Sequence, residues 1–171
     1  MVGPSFEFSP EAAIQGRASA VFELFRPEDP ALAESKGVAY QAALTWTLYG
    51  RTTFEFEAGR NFSYSYQDTE PYYLLTAARL LVNQPLAGRL ELYGGVDWDH
   101  MAYQWRKGAP GASTESDRVD TVVAVGGGIG IRLGSGFRVR IGADKMRRRS
   151  IEDPLQSFNR TRILTTVTMG S

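Results

Sequence analysis

The chain contains no cysteine, which excludes disulfide staples, thiol catalysis and cysteine-ligated zinc. It has a single histidine, His100. Neither sign of charge is in excess, with 19 Lys plus Arg against 19 Asp plus Glu, so no overall field draws the chain to nucleic acid. Long apolar runs are missing as well. The longest uncharged stretch, 37–50, falls short of the ~18 residues that cross a bilayer as a helix. The opening residues, Met-Val-Gly-Pro-Ser-Phe-Glu-Phe, hold neither the basic segment nor the apolar run of a signal peptide.

What is abundant points to strands. The 171 residues suit one domain over 1–171, and 18 glycines with 12% aromatics fit a β-rich chain with tight turns. The stretch 119–149 shows the pattern. Val119, Val123, Val125, Ile129, Ile131 and Leu133 share one parity, while Asp120, Ala124, Gly126, Gly128, Gly130 and Arg132 share the other. Beyond Gly134-Ser135-Gly136, Phe137, Val139, Ile141 and Ala143 alternate with Arg138, Arg140, Gly142 and Asp144. Side chains of a strand point alternately to opposite faces, so this is a hairpin with one aliphatic face and one face of charges and glycines.

The alternation recurs in eight long runs between 13 and 169, after a short segment over 1–9 that reads as the stub of a preceding strand. The connections are predicted to be short at 9–11, 50–51, 84–88 and 134–136, and longer at 26–37, 67–71, 106–118 and 150–157. Short turns on one side and long loops on the other are the pattern of a transmembrane β-barrel. The runs exceed the ~5–6 residues usual in soluble sheets and suffice for the ~9–11 that a tilted membrane strand needs. The expected fold is therefore all-β, an antiparallel up-and-down transmembrane barrel of about eight strands, or part of a larger one.

In that arrangement the aliphatic face meets lipid and the charged face lines a lumen. The expected lumen network comprises Arg17, Glu23, Glu55, Glu57, Arg79, Glu91, Asp97, Asp99, Asp120, Arg132, Arg138, Arg140, Asp144 and Arg162. Isolated buried charges cost several kcal/mol, so these groups must pair. Arg60 alone interrupts the apolar stripe of its strand, and a bulge or a rim position would each accommodate it. Aromatics gather near strand ends, Trp46 and Tyr49 at one side and Tyr64, Tyr66, Tyr72, Trp98, Tyr103 and Trp105 at the other, as two interfacial girdles would require. Arg147-Arg148-Arg149 lies about 25 Å above the 134–136 turn at ~3.3 Å per residue and a ~40° tilt. A basic patch at that rim would contact lipid phosphates.

Other chemistries fit less well. Gly126-Gly127-Gly128-Ile129-Gly130 lies inside a strand and lacks the Lys-Ser/Thr of a phosphate loop, so its glycines read as room for bulky neighbours. Asp97, Asp99 and His100 suggest an acid/base or metal cluster, but His100 has the opposite parity to the two aspartates. Glu115 with Asp117, and Glu152 with Asp153, read as solvated loop charge. No cofactor and no catalysis are expected. A soluble lipocalin-like barrel, with the aliphatic face inside around a small apolar ligand, is the alternative, and a barrel hydrolase or acyltransferase using Asp97 or Asp99 is a third.

Several short segments carry a family resemblance: Gly50-Arg51-Thr52, Tyr64-Ser65-Tyr66, Glu70-Pro71-Tyr72-Tyr73, Asp117-Arg118-Val119-Asp120, the 126–130 glycine run and Arg147-Arg148-Arg149-Ser150. Through them the chain resembles the outer-membrane β-barrel (porin-like) proteins of Gram-negative bacteria from about Phe6 onward. The resemblance implies an outer-membrane location, with membrane lipids as partners, and no particular substrate. Members begin with a signal peptide and end on an aromatic residue. This chain ends in Met169-Gly170-Ser171, which predicts a C-terminal fragment.

Overall fold

The structure, a computed structural model, describes residues 5–7, 14–26, 35–67, 70–104, 118–133, 136–151 and 154–169. Gly134, Ser135, Trp105 and the loop carboxylates Glu115, Asp117, Glu152 and Asp153 lie outside the described residues. The elements are β1 (Ser5–Glu7), β2 (Ile14–Phe25), β3 (Ser35–Leu48), β4 (Thr52–Gln67), β5 (Glu70–Pro85), β6 (Leu90–Gln104), β7 (Val119–Leu133), β8 (Phe137–Ser150) and β9 (Phe158–Met169), with one 3-10 turn at Pro154–Gln156. All nine strands form one sheet in sequence order, each antiparallel to the one before it. The fold is all-β and up-and-down, with eight long strands after a three-residue first one. The eight long alternating runs of the sequence correspond to β2 through β9.

Local chemistry explains the turns. Tyr49 and Gly50 both adopt positive φ, at 51° and 64°, and the Arg51 amide donates to the Leu48 carbonyl at 3.1 Å. Two consecutive left-handed residues make a turn whose twist matches that of paired strands. The turn therefore centres on Tyr49-Gly50, one residue earlier than the Gly50-Arg51 expected from sequence. A larger correction concerns 67–71, expected as one of the longer loops. Gln67 pairs with Glu70 after a register shift between Tyr64 and Gln67, so β4 and β5 continue almost into each other. The extra residues are absorbed by that irregularity rather than by a loop.

Register also resolves Arg60. The ladder is regular through it, with Tyr40 opposite Arg60 and Arg60 opposite Thr76, so no bulge accounts for it. The same line continues through His100, Thr121 and Arg149. Arg60 thus belongs to a polar row that crosses five strands on the otherwise aliphatic face.

The two faces differ in exposure in the reverse of the soluble sense. Val125, Ile129 and Ile141 are more than half exposed, and Phe22, Leu24 and Val38 are exposed as well. Glu91, Arg118 and Asp120 are buried. Side chains two strands apart meet on the charged face, where Glu91 of β6 reaches Arg138 and Arg140 of β8. This contact over Gly130, together with the lower exposure of the charged face, points to the charged face as the inside of the curve. A lipocalin-like interior built from the aliphatic residues is not favoured by this, because those residues are the more exposed ones. At the far end of β5 the pattern breaks. Tyr72 has the parity of the outer face yet is buried, as is Glu70.

Candidate functional site

Three groups of side chains on the concave face bring together most of the charged residues singled out in the sequence. The first lies near the 134–136 connection. Glu91 is only 1% exposed and faces three arginines from the next two strands. Its Oε1 accepts from Arg140 Nε at 2.7 Å, and its Oε2 accepts from Arg132 Nε and Nη2 at 3.2 Å. Arg138 Nε lies 3.5 Å away. One buried carboxylate therefore serves three guanidiniums, each with a solvent-facing part, and the group keeps surplus positive charge.

Beside it the Arg140 guanidinium sits 4.9 Å from the centre of the Tyr93 ring, a cation–π contact. Tyr93 lies across the glycines of the neighbouring strands. A Cβ at Gly142 would meet the Tyr93 hydroxyl and ring, and one at Gly128 would stand 2.7 Å from that hydroxyl. This accounts for Gly128 and Gly142, where the ring covers bare backbone as aromatic side chains do over glycines in curved sheets, while Gly130 lies against Glu91 and Gly126 against Asp144. Gly142→Ala is expected to cost about 1–3 kcal/mol through overpacking. Tyr93→Phe should recover part of that loss, because the hydroxyl is the nearest obstacle. Strictly additive losses in the double-mutant cycle would show that the ring is not what the new methyl meets.

The second group is spread over the sheet from β2 to β9. Arg79 Nε and Asp97 Oδ1 pair at 2.9 Å, and Arg162 grips Asp144 through both carboxylate oxygens. Arg17, Glu57 and Asp99 line, with Arg79 and Asp97, an open depression of about 340 Å³. Its floor is alanine and glycine backbone, at Ala43, Gly59 and Ala77. Arg17, Glu55, Glu57 and Asp99 form no ion pair among the described residues, although Glu57 stands directly across the ladder from Arg79. The structure thus places all the expected residues on this face but ties only part of them together.

The third group sits at the opposite end of the strands and is the most enclosed. Asp120 is fully buried. Its Oδ1 and Oδ2 accept from Arg118 Nε at 3.2 Å and Nη2 at 2.7 Å, and Oδ2 also accepts from Arg148. Arg118 donates in addition to Glu70 and to Gln156 Oε1 at 2.8 Å, with its guanidinium 4.0 Å over the Tyr103 ring. Burial pulls the Arg118 pKa down, but the hydrogen bond and charge of Asp120 and the charge of Glu70 outweigh it, so the guanidinium is held above its ordinary value. Residues from β5, the start of β7, β8 and the 3-10 turn are joined by this one cluster.

Two expectations are corrected here. Arg148 is not a rim residue beside Arg147 and Arg149. Neighbours in a strand point to opposite faces, so Arg148 turns inward to Asp120 and Gln156, while Arg147 and Arg149 are exposed. Tyr103 and Tyr72 do not belong to an exposed aromatic girdle, since both are buried and the Tyr103 ring packs at a tilt against Tyr73 with centroids 5.0 Å apart. Tyr64, Tyr66 and Trp98 are exposed, as are Trp46 and Tyr49. Asp97, Asp99 and His100 are not assembled as a catalytic trio: Asp97 is engaged by Arg79, and His100 lies on the other face against Trp98 at 5.9 Å. Among the described residues no group of three or more His, Asp or Glu is placed to hold a metal.

A charged concave wall under an exposed aliphatic surface narrows the families that the chain can match. The family model described as putative beta-barrel porin 2 matches residues 1–170. The chain belongs to this porin family. Comparison with curated proteins and with solved structures found no match.

Within this porin wall, sequence reasoning passed over Glu70, Arg118, Tyr93, Gln156 and Arg160. Two of them carried a usable signal. Arg118 and Arg160 have the same parity as the neighbouring charged positions Asp120 and Arg162, so extending each alternation by one step would have found them. Glu70 and Gln156 carried none, because their positions depend on an irregular hairpin and on a 3-10 turn.

Proposed function

We propose that the concave charged face lines the lumen of an outer-membrane β-barrel that passes solutes, with no catalytic role. The observation that supports this best is the inverted burial: Glu91 and Asp120 are enclosed while Ile129 and Ile141 are 58% and 54% exposed. In water that surface would be unfavourable at roughly 25 cal/mol per Å² of apolar area; in lipid it is the surface a barrel needs. β2 and β9 run in opposite directions, so the eight long strands can close as an antiparallel barrel of even number. In such closure β1 is a stub beside the seam, for it covers only the Arg17–Ser19 part of the β2 edge. Small barrels are filled by side chains. Here alanine and glycine at 43, 59, 77, 95, 124 and 126 on the inner face leave room for a water-filled path.

Outer-membrane lipids are the partner on the other face. Arg147 and Arg149 follow Lys145 on the exposed side of β8, directly above the apolar positions Val139, Ile141 and Ala143. This order supports contact with lipid phosphates. The test is refolding of the chain into vesicles, followed by planar-bilayer recording. Heat-modifiable gel migration, stepwise conductance, and refolding that improves with phosphatidylglycerol are expected. A detergent-free soluble monomer, or a membrane-inserted form with no conductance, would sink the reading.

A further inference from the structure

The inner wall is not filled, and its two margins are not joined. Arg79 and Asp97 stay 50% and 40% exposed within their ion pair, and Arg132 and Arg162 are similarly open. A barrel closed on itself at eight strands fills its interior with side chains, so this wall has the curvature of part of a wider one. Among the described residues β9 pairs with β8 alone, and it is exposed on both faces at every position from Phe158 to Met169. At the other margin β1 covers only Arg17–Ser19 of β2, which leaves the edge from Ala20 to Leu24 without a neighbouring strand among those residues. Bare edges do not persist in lipid, where every backbone amide and carbonyl must be paired.

We propose that a second copy of this chain joins the two margins. β9 of each chain lies antiparallel beside β2 of the other, and the eight long strands of each chain together enclose one sixteen-strand lumen. The inference rests on the reading of the concave face as the lumen of a membrane barrel. β2 and β9 run in opposite directions, as such a seam requires, and a two-fold axis along the barrel makes its two seams identical. The side chains set the register. With inner positions facing inner positions, placing Glu23 opposite Arg162 also sets Val21 beside Leu164 on the inner face. The same register sets Phe22 beside Ile163 and Ala20 beside Thr165 on the outer face. A shift of two residues either way would set Val21 against Arg162 or Glu23 against Leu164. Only the first register matches charge with charge and apolar with apolar. Within one chain Glu23 stands opposite Gly37 and forms no ion pair among the described residues. The Arg162 side chain, paired with Asp144, is still 42% exposed, so it is open to a second carboxylate. A barrel of that many strands leaves an aqueous channel.

The test uses the refolded chain in detergent micelles and in vesicles, where the lack of native cysteine makes introduced pairs unambiguous. A variant carrying Ala20→Cys and Thr165→Cys is oxidised and run on denaturing gels. A covalent dimer is expected, and a mixture of the two single variants should give cross-linked pairs of unlike chains. Phe22→Cys with Thr165→Cys, two residues out of register, should cross-link about tenfold more slowly, because the sulfurs no longer meet. Glu23→Lys should lower the dimer fraction about fivefold at equal protein concentration, through repulsion from Arg162. Sedimentation of the parent chain in detergent reads the same state without any substitution, and a dimer is expected there too. A cross-link that forms within single chains, or a parent chain that conducts as a monomer, would overturn the proposal. A cross-linked dimer that inserts without conducting would instead overturn the pore reading and leave the seam standing.

Discussion

Asp120→Ala is expected to lower the unfolding free energy in lipid vesicles by about 3–5 kcal/mol, the range for removing one member of a buried ion pair. The aspartate is fully buried, and Arg118 is only 4% exposed. Without Asp120, the Arg118 guanidinium retains Glu70 and Gln156 but loses two charge-assisted bonds, and Arg148 loses its carboxylate. Water cannot reach Arg118 to compensate. The same cluster joins β5, the entry to β7, β8 and the 3-10 turn, so the loss falls on several connections together. Asp99→Ala provides the control, because Asp99 forms no ion pair among the described residues and lies in an open depression. Its effect should stay within about 1 kcal/mol. Urea titration followed by tryptophan fluorescence measures both. Equal, small losses would show that the cluster contributes nothing to the stability of that end of the sheet.

The second large effect is expected at Ile141. A lysine there should cost about 2–4 kcal/mol in vesicles, the penalty for a cation on the lipid face near the midplane. Ile141 is five residues beyond Gly136, and its ladder partners are Ile129 and Thr165. Val125, at first sight an equal choice from the sequence, is a poorer one. It stands directly opposite Lys145, so it already borders the polar end of the β8 outer face. Val125→Lys should therefore cost less than Ile141→Lys in the membrane, apart from repulsion across the ladder. If Ile141→Lys folds and inserts as well as the parent chain, the aliphatic face is not in lipid, and the inside-out assignment fails.

Particular residues show how far the sequence alone could be read. Strand identity and face were legible wherever apolar and polar residues alternate without interruption, as in β7 and β8, because a period of two leaves no other regular structure. The place of Arg162 on the charged face followed from the same parity, and only the register set it opposite Asp144. The end of β5 could not be read this way. A register shift between Tyr64 and Gln67 cancels the parity argument for Glu70 beyond it, and Tyr72, still in regular register opposite Tyr64, is buried all the same. Arg148 was misplaced for a different reason. Three consecutive arginines look like one patch in a sequence, while a strand sends the middle one to the opposite face.

The sequence by itself determined that the chain is all-β, that its strands are long, and that one face is aliphatic and the other charged. Those are local properties, set by side-chain alternation and by turn residues such as Tyr49-Gly50. It could not decide which face is inside, since alternation is symmetric between a soluble sheet and a membrane wall. The curvature of the sheet decided that, by bringing Glu91 onto Arg138 and Arg140 two strands away and leaving Ile129 and Ile141 outside. Pairing was likewise a tertiary matter: one carboxylate among three arginines depends on strand order and register. Residues 91 and 140 are distant in sequence and meet only because β6, β7 and β8 lie side by side.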